Sequence, residues 1–181
     1  MALCYPCIVS LVFEPVGPFV IPHRRLPGGG GKRIEREHAS EFWDDDELKE
    51  IANRVGCYIF GIKAGGGFRP FYVGMTTKSF KQEALQAHKR SDHYNRVLST
   101  NRRGRPVLFF AMYPSSKRTI KEGAIKELEL ILIYLVRQQN PAATNDKGRR
   151  FHPPAIQGVL NSFGRGARTN AAQNMRRLLN L

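Results

Sequence analysis

The residues of this chain best suited to chemistry are two tyrosines, each close to a glycine, on opposite sides of a short turn. They lie in GCYIFGIKAGGGFRPFYVG, residues Gly56 to Gly74, with Tyr58 just after Gly56 and Tyr72 just before Gly74. A phenol can give up or share a proton, with an ordinary pKa near 10. A glycine beside it lets a substrate approach the backbone closely. Two such phenols on neighbouring strands could therefore act on one spot. They could equally be the cross-strand aromatic pair of an ordinary hairpin, so the rest of the chain has to decide.

A third candidate is Glu129, set among Leu128, Leu130, Ile131, Leu132 and Ile133. A carboxylate unpaired in such surroundings would lose several kcal/mol or have its pKa driven upward. It is retained either beside a structural cation such as arginine or by a bound metal and the chemistry that goes with it, and the helix alone leaves both open. Lys81 and His88 fall at i and i+7 of an expected helix, with Leu85 between them, and could contact a phosphate from the face beside the tyrosines. Asp44 to Glu47 read as an acid-rich helix start, stabilised by the helix dipole, and not as a metal cluster. Cys4-x-x-Cys7 lacks the second ligand pair of a structural zinc site, and with Cys57 it leaves three ordinary thiols.

The elements that must position these groups are legible in outline. Cys57–Ile62 and Phe71–Met75 are rich in aromatic and β-branched residues and flank a glycine-rich turn, which predicts a β-hairpin. Ser79-x-x-Gln82 has the form of a capping box opening a helix from Phe80 to about Arg90. Pro106–Tyr113 reads as a strand buried on both faces and as the sheet centre. Thr119-x-x-Glu122 predicts another capping box, opening an apolar helix that carries Glu129 and ends before Asn140-Pro141. Earlier in the chain, residues 7–20 contain a plausible strand, Pro27–Gly31 a flexible link, and Asp44–Arg54 a short helix. Residues 156–160 could form a last strand, and Thr169–Leu181 a closing helix with a basic outer face.

The charge balance points to a polyanion. The chain has 181 residues, 29 Lys+Arg against 15 Asp+Glu, a formal charge of +14 and 41% apolar residues, enough for one domain with a core. The acids concentrate between Glu35 and Glu50, whereas Asp146 is the single acid after Glu129. The basic footprint therefore falls on the later part of the chain, with a second cluster from Lys89 and Arg90 to Arg105. The apolar run at the N-terminus has no preceding Lys or Arg and is broken by Glu14, Pro15 and Pro18, which argues against a signal peptide or membrane span and makes the cytoplasm the expected location.

In this order, the hairpin tyrosines, the Glu helix and the final asparagines resemble the GIY-YIG nuclease superfamily. Gly56-Cys57-Tyr58 stands where the family has Gly-Ile-Tyr, Tyr72-Val73-Gly74 where it has Tyr-Ile-Gly, Leu128-Glu129 with Leu132-Ile133 where it has its Glu helix, and Asn140-Pro141 with Asn145 near its terminal Asn. The family's arginine on the helix after the second motif is missing. A Phe80-x-x-Glu83-x-x-x-x-His88-Lys89 pattern, similar to that of some members, stands there instead, so that Lys81 or the His88-Lys89 pair would take its place.

The resemblance implies an α+β fold with a central sheet of three strands flanked by helices, over residues 55–146. An N-terminal arm (1–54) and a basic C-terminal extension (147–181) would lie outside it. It implies a metal-dependent endonuclease acting on DNA, with Mg2+ or Mn2+ held by Glu129. Tyr58 would be the general base if a nearby cation lowered its pKa, and Tyr72 would orient water or phosphate. Lys81 or His88 would stabilise the transition state, Asn145 would position, and Gly74, Lys89 and Arg90 would contact substrate. The alternative is a nucleic-acid-binding module of the same fold with little or no catalysis. A basic interaction protein with Glu129 as an ion-pair partner is a third reading.

Overall fold

The computed structural model describes residues 11–29, 31–101, 103–115 and 119–145. The expected last strand, the closing helix and the two N-terminal cysteines lie outside the described residues.

Strand β1 (Glu14–Val20) comes from the N-terminal segment and is followed by a small antiparallel ribbon, β2 (Arg24–Arg25) with β3 (Lys32–Arg33). Residues 27–29, expected to belong to a flexible link, lie between its two strands, and the Leu26 N–H donates to the Gly31 carbonyl at 3.0 Å. Helices α1 (Arg36–Asp44) and α2 (Asp46–Ala52) come next, α2 capped by the Asp45 side chain accepting from the Glu47 N–H. The hairpin is β4 (Gly56–Ala64) and β5 (Gly67–Thr76), antiparallel and in a register that sets Tyr58 opposite Gly74 and Phe60 opposite Tyr72.

The region after the hairpin departs from the single helix expected over Phe80–Arg90. Ser79 does cap, accepting from the Gln82 N–H, but α3 (Phe80–Glu83) stops after one turn. A new start follows at α4 (Ala87–Lys89), then a π-helical turn over Arg90–Tyr94 and α5 (Asn95–Thr100). Long-range contacts impose the break: the Tyr94 hydroxyl donates to the Ala84 carbonyl at 2.7 Å while its ring stacks on Phe60 at 4.1 Å. The Arg90 guanidinium donates to the Leu85 carbonyl and holds the same corner.

Strand β6 (Arg105–Met112) pairs with both β4 and β1, and α6 (Glu122–Gln139) closes the described chain. Helix α6 starts at Glu122, three residues after Thr119 and without a side-chain cap. The Tyr113 hydroxyl, donating to the Thr119 carbonyl and accepting from the Lys121 N–H, organises the turn instead.

Among the described residues the sheet therefore has four antiparallel strands in the order β1-β6-β4-β5, one more than expected. The additional strand is β1: the N-terminal segment does not stop short of the sheet but covers the open edge of β6, satisfying backbone groups that would otherwise be unpaired. Residues of α1 and α2, Phe42, Trp43, Leu48 and Ile51 among them, belong to the same core as Phe60 and Phe110.

Strand alternation sorts the side chains into two layers. Tyr58, Phe60 and Ile62 face α1 to α5, where Phe42, Phe80, Tyr94 and Leu98 fill the larger core. Cys57 and Ile59, with Val73 and Met75 of β5, face α6 and its Ile125, Leu132, Ile133 and Val136. Gly56 adopts φ 143°, and a Cβ there would run into the Ala111 carbonyl of β6, so the first motif glycine is demanded by the sheet itself. Among the described residues no helix is long and apolar enough to cross a membrane.

Candidate active site at the edge of the sheet

Strand β5 is the last strand of the sheet, and the segment after α6 covers its outer edge. The Thr144 N–H donates to the Phe71 carbonyl at 2.8 Å. The Asn145 side chain accepts from the Val73 N–H at 2.8 Å and donates to the Val73 carbonyl at 2.7 Å, imitating a neighbouring strand with one amide. Asn140 donates to the Pro70 carbonyl at 2.7 Å. Asn145 is buried, and both its polar atoms are used on backbone. Whatever else it contacts, it fixes Val73 and with it the flanking Tyr72.

Because the edge is where the two layers of the molecule meet, groups from both reach one place there. A pocket of about 620 Å3 is lined by Tyr72 and Met75 of β5, by His88, Lys89 and His93 of the broken helical segment, and by Glu129 of α6. Glu83, Lys126 and Asn145 complete its wall. Glu129 is half-buried, not enclosed: the apolar neighbours read as its surroundings turn partly outward, with Ile131 47% exposed.

Tyr58 sits beneath the pocket, fully buried. The Lys89 ammonium donates to its hydroxyl, pairs with Glu83 at 2.7 Å, and lies 5.0 Å from the Tyr58 ring centre and 5.9 Å from that of Tyr72. Lys89 is itself only 6% exposed, so its charge is held by a carboxylate, a phenol and two aromatic faces. Burial pushes the Tyr58 phenol well above its ordinary range, and the Tyr94, Tyr72, Glu83 and Glu129 groups push it the same way. The condition for Tyr58 as general base, a cation-lowered pKa, is thus reversed: removal from water outweighs the neighbouring ammonium. Tyr72 is pushed up to about 12, first by burial, then by Glu129 and Glu83, with a hydrogen bond from Tyr58 acting in the opposite sense. At neutral pH it is a protonated phenol that can donate.

The other sequence candidates fall out differently. Lys81 is exposed on α3 and does not line the pocket, because the break after Glu83 takes it off the face that carries His88. Lys89, not Lys81, brings an ammonium from this segment into the site. Arg90 is engaged with the Leu85 carbonyl and does not line the pocket. Gly74 does admit a close approach, but what approaches is the Tyr58 ring, which a Cβ at position 74 would overlap.

One residue was missed by sequence reasoning. His93 lines the pocket, stacks on the Tyr72 ring at 4.2 Å and 29°, and shares a hydrogen bond of 3.2 Å from Nδ1 with the Thr144 hydroxyl. Its spacing of four from Lys89 was the available signal, and the π-helical turn gives that spacing its direction.

Among the described residues no three His, Cys, Asp or Glu side chains are grouped as a metal-binding set. Two carboxylates line the pocket, Glu83, which pairs with Lys89 at 2.7 Å, and the half-buried Glu129. That suits Mg2+ or Mn2+ held largely through water and substrate oxygens, and does not suit a cage of protein ligands. No family model, characterised protein or solved structure matches the chain.

Proposed function

We propose that this pocket hydrolyses phosphodiester bonds of DNA with a divalent metal, in a domain of the GIY-YIG nuclease type. The observation that carries the reading is convergence: a phenol from β5, two imidazoles and an ammonium from the broken helical segment, and a carboxylate from α6 border one cavity. They come from three distant stretches of sequence, and the formal charge of +14 makes a polyanionic substrate favourable to bind.

Glu129 would hold the metal, which when bound supplies polarisation of the phosphate and neutralisation of charge on the leaving oxygen. Tyr72, protonated at neutral pH, donates to a non-bridging phosphate oxygen. Lys89 places a fixed positive charge behind it, strongest against the extra charge of the pentavalent state. The proton of the attacking water would go to one of the two pocket imidazoles, His88 or His93, whose ring nitrogens can accept it. Tyr58 acts through Lys89 and Tyr72 as a positioning group. Asn145 keeps β5 in place.

A second reading, a nucleic-acid-binding module of the same fold, is favoured by the Glu83–Lys89 pair, since Glu83 already compensates part of the charge a phosphate would use. Plasmid nicking with Mg2+ and with Mn2+, run beside a DNA-affinity measurement, separates the two. The nuclease predicts metal-dependent cleavage that falls by about 100-fold or more in Glu129→Gln and by about 10-fold or more in Tyr72→Phe, with affinity nearly unchanged. A wild type that binds DNA and cuts it with neither metal leaves the binding module.

A further inference from the structure

The pocket does not end at His93. That side chain also lines a second hollow of about 400 Å3, between the π-helical turn with α5 and the segment 142–144, whose walls include Arg69 and Arg96. The second hollow continues into a third, of about 560 Å3, that shares Arg69, Phe71, Thr100 and Asn101 with it and adds Arg103 and Phe68. The three lie in series, the first and second adjoining at His93, from the candidate active site to the β4–β5 turn.

The chemistry along the run is that of a polynucleotide strand. Arg69, Arg96 and Arg103 are exposed guanidiniums. Asn140 orients Arg69 by accepting from it at 3.1 Å, and the Arg69 guanidinium carbon lies 5.4 Å from the Phe71 ring centre. Thr100 and Asn101 add neutral hydrogen-bonding groups. At the far end Phe68 is 48% exposed, held edge-on by Phe109 at 5.1 Å, which leaves an aromatic surface on which a base can stack. Asp92 is the one acid lining the second and third hollows among the described residues, and it accepts from the Ser91 hydroxyl at 2.7 Å.

We infer that one strand of the nucleic acid leaves the candidate active site over His93, with its phosphates on Arg96 and Arg69 and a base stacked on Phe68. The inference rests on the nuclease reading for the location of the reacting phosphate, but it is tested by binding alone.

The test is the affinity of the full chain for a single-stranded oligonucleotide, in EDTA so that nothing is cut, as a function of KCl. The Arg69→Ala/Arg96→Ala double variant is compared with Arg36→Ala/Lys49→Ala, which removes equal charge from α1 and α2. Each phosphate contact on a single strand contributes about 0.7 to the slope of log K against log salt. The path variant is therefore expected to lose about 1.4 of slope and to bind at least about 10-fold more weakly near 150 mM salt. The control should keep its slope. Because Arg69 also bonds Asn140, Arg96→Glu alone serves as a second variant and should weaken binding as well.

Phe68→Ala should weaken the oligonucleotide and leave inorganic polyphosphate binding as it was. Equal losses in path and control variants, or an unchanged slope in the path variant, overturn the route. Equal effects of Phe68→Ala on both polyanions overturn the stacked base. A wild type that binds no nucleic acid removes the nuclease reading too, whereas binding weakened by Lys126→Ala and untouched by the path variants removes only the route.

Discussion

The two faces of the central sheet are built from alternate residues of the same strands, yet they solve different problems. Under α6, Cys57, Ile59 and Val73 meet Ile125, Leu132, Ile133 and Val136, where the Cys57 thiol donates to the Ile125 carbonyl at 3.4 Å. Under the short helices, Tyr58, Tyr72 and Tyr94 share their face with Lys89, a buried ammonium that must keep its partners. Burial on the first face is non-directional and is satisfied by volume. On the second it requires a donor or acceptor at a particular point, because each group left unsatisfied costs about 1–3 kcal/mol. The first face supplies stability that tolerates exchange; the second spends part of its stability on holding polar groups in one geometry.

The largest effect should come from breaking the apolar face. Ile133→Ala removes a side chain 1% exposed and is expected to lose about 2–5 kcal/mol in urea unfolding. Cleavage per folded molecule should stay near wild type, and a parallel loss of specific activity would show that the faces are not separable.

On the other face, Lys89→Met keeps the length and removes the charge. Unfolding free energy should fall by about 1–3 kcal/mol, since Glu83 and Tyr58 lose their partner, while cleavage drops by at least about 10-fold in the folded fraction. A variant as stable as wild type would mean that the ammonium stabilises nothing net.

The smallest effect sharpens the comparison by pH. Burial, then Glu129, pushes the Cys57 thiol up to about 12 from an ordinary value near 9, and Tyr72 also stands at about 12 against an ordinary value near 10. In both cases the folded pKa exceeds the unfolded one. The stabilisation is therefore complete below the unfolded values and is lost as pH rises through the window up to about 12. Stability should be level to about pH 8 and decline above 9. Cys57→Ala should delay the onset to about pH 10 as judged by circular dichroism, and an onset that does not move would assign the alkaline loss to other groups.

Much of this architecture was legible because it is local. The hairpin follows from β-rich runs around a glycine turn, the Ser79 cap from one hydroxyl three residues ahead of Gln82, and strand β6 from a continuous apolar run. What escaped depends on partners that the local pattern does not name. A strand within residues 7–20 was expected, but its place in the sheet is specified by the edge of β6, which it covers. The break after Glu83 is enforced by Tyr94 and Arg90, which reach back to Ala84 and Leu85. That break decides how the site residues are placed: it carries Lys81 away, brings Lys89 inside, and turns His93 onto Tyr72. The motif tyrosines were found as residues, but their burial, which reverses the expected direction of the Tyr58 pKa, belongs to the assembled core.

The Tyr58 ring lying on Gly74 joins the two motif strands in a further sense. A larger residue at 74 can be accommodated only if the ring at 58 is reduced, and reducing the ring removes the phenol that Lys89 needs. In evolutionary terms the two positions form a single locus. Neither can drift alone, and the compensating pair of changes that would restore the fit would also dismantle the site.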